Sequence, residues 1–376
     1  MSDTSSAKPA LSAGGRIMAI DALRGFDMFW IVGADDLVRS MGKASDSGVV
    51  QAAATQLKHV PWEGFVFYDL IFPLFVFLIG VSLVFSLTRL VDTEGKTGAY
   101  KRLARRALLM FFFGWFYDHG FAQMPDENPF VGVMQRLAIC YFFAGLLYMN
   151  LKLRGLIVTF LLLIIGYWAA LSFVPFPGKD PENAYSKDAN LTRYVDSLYL
   201  PFREPGQVTD PEGLLGNFPA VASCLLGVFA GLLIRNAKYD MKQKSLYFLA
   251  AGVALCIAGY VWGFQFPIIK RIWTSTYVLY AGGWSCILLG LFILIIDVAG
   301  WKKWAIPFVW IGANPLTIYI VNSFVDFSEL GARLTGGPLG ETLFGQYDEI
   351  VASLVGIGFV FLFVRFLYKK QIFLRV

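Results

Sequence analysis

His59-Val-Pro-Trp-Glu-Gly-Phe-Val-Phe-Tyr-Asp69-Leu-Ile-Phe-Pro-Leu-Phe-Val-Phe-Leu-Ile-Gly80 opens with one of the two histidines in the chain. From Phe65 it enters an apolar run whose single acid is Asp69. A carboxylate in such a run is costly unless it is paired, hydrated or protonated, so Asp69 is a candidate functional residue. Histidine is the side-chain type that titrates near neutral pH, so His59 is the natural candidate base. A carboxylate oriented on that ring would fix its tautomer. With a helix start near Pro61, Asp69 falls about two turns in, roughly 10–12 Å along the axis, within reach of a loop that folds back over the mouth.

Working outward, the composition sets the class. Hydrophobic residues make up 57% of the chain and charged residues 16%, against about a quarter charged in soluble domains. The expectation is an all-α polytopic membrane protein. A crossing helix needs about 20 apolar residues. The candidate spans lie near 17–38, 64–90, 104–123, 129–150, 155–175, 212–234, 244–264, 273–298, 305–324 and 348–368, about ten in all. Arg89, Lys96, Lys101, Arg102, Arg105 and Arg106 crowd one connection. Lys152 and Arg154, then Arg235 to Lys244, Lys302 and Lys303, and the C-terminal basic residues fall on the same side. By the positive-inside rule both termini are expected in the cytoplasm. Loops near 39–62, 176–211 and 325–347 then face the periplasm.

Residues 1–15 are small and polar and read as a disordered cytoplasmic tail, 16–370 as a single transmembrane domain, and 371–376 as a short tail. Cys140, Cys224, Cys256 and Cys286 lie in apolar sequence without metal-ligand spacing and read as buried hydrophobes. No metal is expected. The basic residues sit at span ends, so the net charge of +5 gives no reason to expect a nucleic-acid partner.

Three further places put polar groups at membrane depth. Asp21 and Arg24 are three apart and share a helix face; Arg24 with the basic 101–106 segment could grip an anion arriving from the cytoplasm. Gln135 and Arg136 sit in an apolar span, where a guanidinium serves either a ligand or a structural pair with Asp69 or another acid. Asn314 precedes Pro315, which disrupts helical pairing and opens the backbone to cavity-lining groups. At the outer ends, His119 reads as interfacial. Asp210-Pro-Glu212-Gly reads as a helix start that could also border a site. Gly227 and Gly231 have a small-xxx-small spacing that suits close helix packing.

These stretches resemble the heparan-α-glucosaminide N-acetyltransferase family of transmembrane acyltransferases. The resemblance runs through Arg16–Gly25, His59–Gly64, Asp69–Gly80, Gly132–Leu137, Asp210–Gly216 and Leu226–Gly231, with a weaker echo at Asn314. It implies a membrane enzyme moving an acetyl group from cytoplasmic acetyl-CoA to an amino sugar or related glycan at the opposite face, as an N- or O-acetyltransferase. His59 would be catalytic and Asp69 would line the same site. Arg24, Arg102, Arg105, Arg106, Gln135 and Arg136 would be near the donor, and Asp35, Trp62 and Asn314 near the acceptor. The expected setting is a bacterial inner membrane, with a homodimer carried over from the family. Gly33-Ala-Asp35-Asp36 stands where the lysosomal members have an asparagine, so acceptor recognition is expected to differ. The rival reading is a secondary transporter for a sugar or anionic solute, with Asp69, His59 and Arg136 coupling protons and binding solute.

Overall fold

The computed structural model describes residues 17–119, 130–179, 184–200 and 212–373. The 1–15 tail, Arg16, Asp210 and the last three residues lie outside them, and the side chains of 117–119, His119 included, are likewise undescribed. Among the described residues the chain is helical, with two isolated bridges and no strand. It is an all-α polytopic membrane fold.

Helices run along the described part of every expected span. The first is broken: α1 (Met18–Phe29) passes through a widened π turn at Trp30–Ala34 into α2 (Asp35–Ala44), with Gly33 at φ 135° supplying the break. Most of each of the next two spans falls in α4 (Phe67–His119), which breaks at Gly95, φ 70°, and 120–123 of the second lie outside the described residues. Then follow α5 (Val133–Asn150), α6 (Leu153–Phe173), α8 (Asn217–Arg235), α9 (Met241–Gly263) and α10 (Ser275–Phe292), the last running on through a π turn to Val298. The proline-bearing span is a bent pair, α11 (Ile306–Ala313) and α12 (Pro315–Phe324), with a 69° bend between its halves. The last is α15 (Asp348–Lys369). Among the described residues six helices are long and apolar enough to cross a membrane, and the bent pair brings the number to seven; the whole of α4 enters that number once.

The stretches expected as outer loops are partly helical: α3 (Gly48–Gln56), α7 (Leu191–Tyr199), α13 (Phe327–Thr335) and α14 (Gly337–Phe344). Their short amphipathic or polar sequences lack the apolar length that flags a span. Asn190 and Asp326 cap α7 and α13 through their side chains.

The first half of α4 and all of α8 form the centre, buried on most sides, whereas α6 and α9 turn apolar side chains such as Leu162, Ile165, Val253 and Ile257 outward, as lipid contact requires. Centre and periphery share one apolar core. The α4–α8 crossing is so close that a methyl on Gly80 would overlap the Cys224 carbonyl, and one on Gly227 the Phe77 carbonyl. The small-residue spacing at Gly227 and Gly231 therefore serves packing within the chain. A second, smaller cluster (Tyr167, Leu171, Leu191, Phe266, Ile269, Ile272) joins the end of α6, α7 and the 264–274 connection. Trp62 and Tyr185 pack on it, which anchors the loop that carries His59.

Candidate active site

The helix expected near Pro61 begins at Phe67, so Asp69 is in the first turn of α4 rather than two turns down. The reason is local: Glu63 and Gly64 are pulled sideways into an antiparallel bridge with the 264–274 connection, Glu63 to Ile269, with Gly64 N–H donating to the Ile268 carbonyl at 2.9 Å. Gly64 adopts φ 119° to make this turn, a conformation that glycine alone takes without strain. Asp69 Oδ2 accepts the Val66 N–H at 3.3 Å and so caps its own helix start.

The bridge has a chemical consequence. It carries Lys270 to the carboxylate of a helix two hundred residues away in sequence. His59 Nδ1 lies 2.7 Å from Asp69 Oδ1. Lys270 Nζ lies 3.3 Å from the same oxygen, 3.1 Å from His59 Nδ1 and 3.4 Å from Nε2. Asp69 is wholly buried (0%), while His59 is 51% and Lys270 20% exposed. The carboxylate is thus met by several donors, which is what a charge at this depth requires. With Nδ1–H donating to Asp69, Nε2 is left as the lone-pair nitrogen. The Tyr68 ring lies 4.8 Å from the imidazole, and the Tyr277 hydroxyl donates to the Asp69 carbonyl at 2.7 Å. Burial pulls the Lys270 ammonium below the ordinary lysine range, and the Asp69 charge opposes that shift.

This cluster lines an outer cavity of about 320 Å³, mostly apolar, with Trp62, Tyr68, Glu212, Trp273 and Tyr319 around it. The Trp62 indole N–H donates to the Tyr185 carbonyl at 2.9 Å, which fixes the ring. Asp35 lies outside the lining and holds Tyr68: it accepts the phenol O–H at 2.9 Å and pairs with Arg39 at 3.1 Å.

At the other end of the first half of α4 is an inner cavity of about 760 Å³, lined by Asp21, Arg24, Arg89, Glu94, Arg102 and Arg106 among others. Arg24 is anchored by Asp21 at 3.3 Å, the Gly312 carbonyl at 3.2 Å and Ser82 Oγ at 2.6 Å. Arg102 pairs with Glu94 across the Gly95 break. A cleft with this many guanidinium groups suits a polyphosphate.

The remaining expected residues fall elsewhere. Arg105 is exposed and outside the inner lining. Gln135 and Arg136 are buried outside both linings; Arg136 donates to the Gly213 carbonyl at 3.1 Å and lies 4.9 Å over the Trp273 ring, beneath the turn that enters α8. The pairing of Asp69 with Arg136, one alternative from sequence, gives way to the pair of His59 and Lys270. Asn314 sits at the α11–α12 break, donating to the Ile372 carbonyl at 2.8 Å, two residues from the Gly312 that holds Arg24. Glu212, read from sequence as part of a helix start that could also border a site, lines the outer cavity, whereas Lys270 and Arg89 were not singled out as site residues. Lys270 and Arg271 did carry a signal, being a basic pair on the side otherwise poor in them. Among the described residues no group of His, Cys, Asp and Glu could hold a metal ion.

No family model matches the chain. It is 25% identical to the Homo sapiens protein heparan-alpha-glucosaminide N-acetyltransferase over 85% of its own length. It is 23% identical to the Mus musculus protein of the same name, also over 85%. In both cases 56% of the relative is covered, so the chain spans about half the length of the relatives it matches. With the multi-pass helical architecture, these matches make the chain similar to heparan-alpha-glucosaminide N-acetyltransferases over most of its own length.

Proposed function

We propose that the protein is a transmembrane acetyltransferase that takes acetyl-CoA into the inner, arginine-lined cavity from the cytoplasm and transfers the acetyl group to an amino sugar or related glycan in the outer cavity. The observation that carries the reading is the His59–Asp69–Lys270 cluster: a base, the carboxylate that orients it and a cation, together at the wall of a cavity large enough for a small acceptor. Transfer to an amine needs the N–H proton removed as nitrogen attacks the thioester carbon. His59 Nε2 takes that proton, and Asp69 holds the ring through Nδ1–H and balances the imidazolium charge. The carbon–sulfur bond breaks, and the proton passes from Nε2 to the departing thiolate. Lys270 is within reach of the ring and of Asp69, and its ammonium can bear the negative charge that gathers on the thioester oxygen. A hydroxyl acceptor would use the same groups. Trp62 offers a flat apolar face to a sugar ring, and Glu212 an acceptor for its hydroxyls. Arg24, Arg89, Arg102 and Arg106 would hold the donor phosphates.

The test uses purified protein in nanodiscs, radiolabelled acetyl-CoA and a panel of amino sugars. Acetyl transfer is expected from the wild type, with a loss of about 10²–10⁴-fold in His59→Ala and donor binding retained. If acetyl-CoA is neither bound nor consumed, the reading fails, and solute uptake becomes the assay that matters.

A further inference from the structure

The two cavities are walled by one stripe of α1 and one stripe of α4. Along α1 and its two ends, Ile17, Asp21 and Arg24 line the inner cavity, and Met28 and, in the π turn, Ile31 line the outer. These positions are three or four apart and so share a helix face. Along α4, Phe72 and Phe75 line the outer cavity, and Ser82 and Ser86 the inner. Phe75 and Ser82 are about two turns apart, or roughly 10 Å along the axis. What separates the cavities is a thin partition crossed by these two helices.

Asp27 lines neither cavity, and helical spacing puts it in that partition. It is three residues after Arg24 and four before Ile31, hence on the shared face, and it immediately precedes Met28. Its side chain is wholly buried (0%), and neither carboxylate oxygen has a hydrogen-bond partner among the described residues. The other acids along this seam differ: Asp21 has Arg24, Asp35 has Tyr68 and Arg39, and Asp69 has His59 and Lys270. An acid at this depth with no donor is expensive, and such residues mark a ligand path. The missing donors fit a chain that must cross here. A donor whose phosphates rest among the inner arginines can reach His59 only by threading a flexible arm through the partition. The arm of CoA is uncharged and carries two amide N–H groups and a hydroxyl. Its methylene segments suit Met28 and Phe75, and its N–H groups suit a carboxylate. A phosphate would be repelled.

We propose that Asp27 is the binding site for the pantetheine arm of the donor, accepting its amide or hydroxyl hydrogens as it passes between the cavities. This rests on the acetyl-CoA reading above. The test measures binding of CoA, of pantetheine alone and of adenosine 3′,5′-bisphosphate, which lacks the arm, to the full chain in nanodiscs. Asp27→Leu is expected to weaken CoA and pantetheine at least tenfold and to leave the bisphosphate unchanged. That unchanged binding also reports an intact inner cavity. Asp27→Asn keeps one carbonyl acceptor and is expected to fall between. If Asp27→Leu binds CoA and pantetheine as the wild type does, this site is refuted while the donor reading stands. If Asp27→Leu also loses the bisphosphate, its fold has failed and Asp27→Asn decides: wild-type CoA and pantetheine affinity in that variant refutes the site, and a selective loss of both supports it. If the wild type binds neither CoA nor the bisphosphate, the donor reading itself fails, and the site with it.

Discussion

Asp69 has more donors than one histidine accounts for, and Lys270 is the addition. Both bond the same carboxylate oxygen, at 2.7 and 3.3 Å, so removing Lys270 changes the electrostatics around His59 as well as the cavity wall. Burial lowers the Lys270 ammonium from the ordinary lysine range, so it loses its proton at a lower pH than a free lysine. Activity that needs the ammonium is therefore present below that lowered value and lost as pH rises through it. Arginine stays charged throughout. Lys270→Arg is expected to extend the alkaline limb of the pH–rate profile to higher pH, and Lys270→Met to lower the rate by about 10²-fold. An alkaline limb that does not move in Lys270→Arg would remove Lys270 from the chemistry. His59 and Asp69 were legible because a lone acid in an apolar run is conspicuous and its histidine lies ten residues away. Lys270 was not, because nothing local ties the 264–274 connection to the start of α4.

At the scale of elements, the site depends on two loops joined by a single bridge, and Gly64 makes that bridge possible. Gly64→Ala forces a Cβ onto a backbone at φ 119°, at a cost of about 1–2 kcal/mol. Because the strain falls on the His59 loop and not on the core, the expected result is a fall in kcat with a small change in melting temperature. The α4–α8 crossing behaves oppositely. Gly227→Leu must push the helices apart, since even a methyl would overlap the Phe77 carbonyl. A loss of stability of at least about 1–3 kcal/mol is expected, read as a lower melting temperature in detergent, whether or not donor is present. The broken elements were only partly visible in sequence. Pro315 announced the α11–α12 bend, but the π turn at Trp30–Ala34 has no proline, and its glycine was indistinguishable from a packing glycine until the neighbouring helices were in place.

For the whole molecule, the question is how one polypeptide reaches both faces of a membrane. The inner cavity draws its cations from α1 and from both halves of α4, whereas the outer site is built from the start of α4 and from loops near 57–66 and 264–274. Arg89→Ala and Arg106→Ala are each expected to weaken acetyl-CoA binding by ~10-fold. The loss should shrink as salt rises, because screening already weakens these contacts in the wild type. Trp62→Ala should leave donor affinity unchanged and raise the KM for the acceptor. Equal effects of both kinds of substitution on donor binding would contradict the division of the two cavities. The amino-acid sequence determined the class and most of the helices, because apolar length and basic flanks are local properties that a membrane reads directly. It also marked His59, Asp69 and Arg24, since charge at membrane depth is rare. Only the tertiary structure decided which charges meet. It gave Lys270 to Asp69, set Arg136 beneath the α8 turn, moved Asp35 behind Tyr68, and left Asp27 buried without a donor among the described residues. Each of those outcomes depends on contacts between residues far apart in the chain, and no local pattern encodes them.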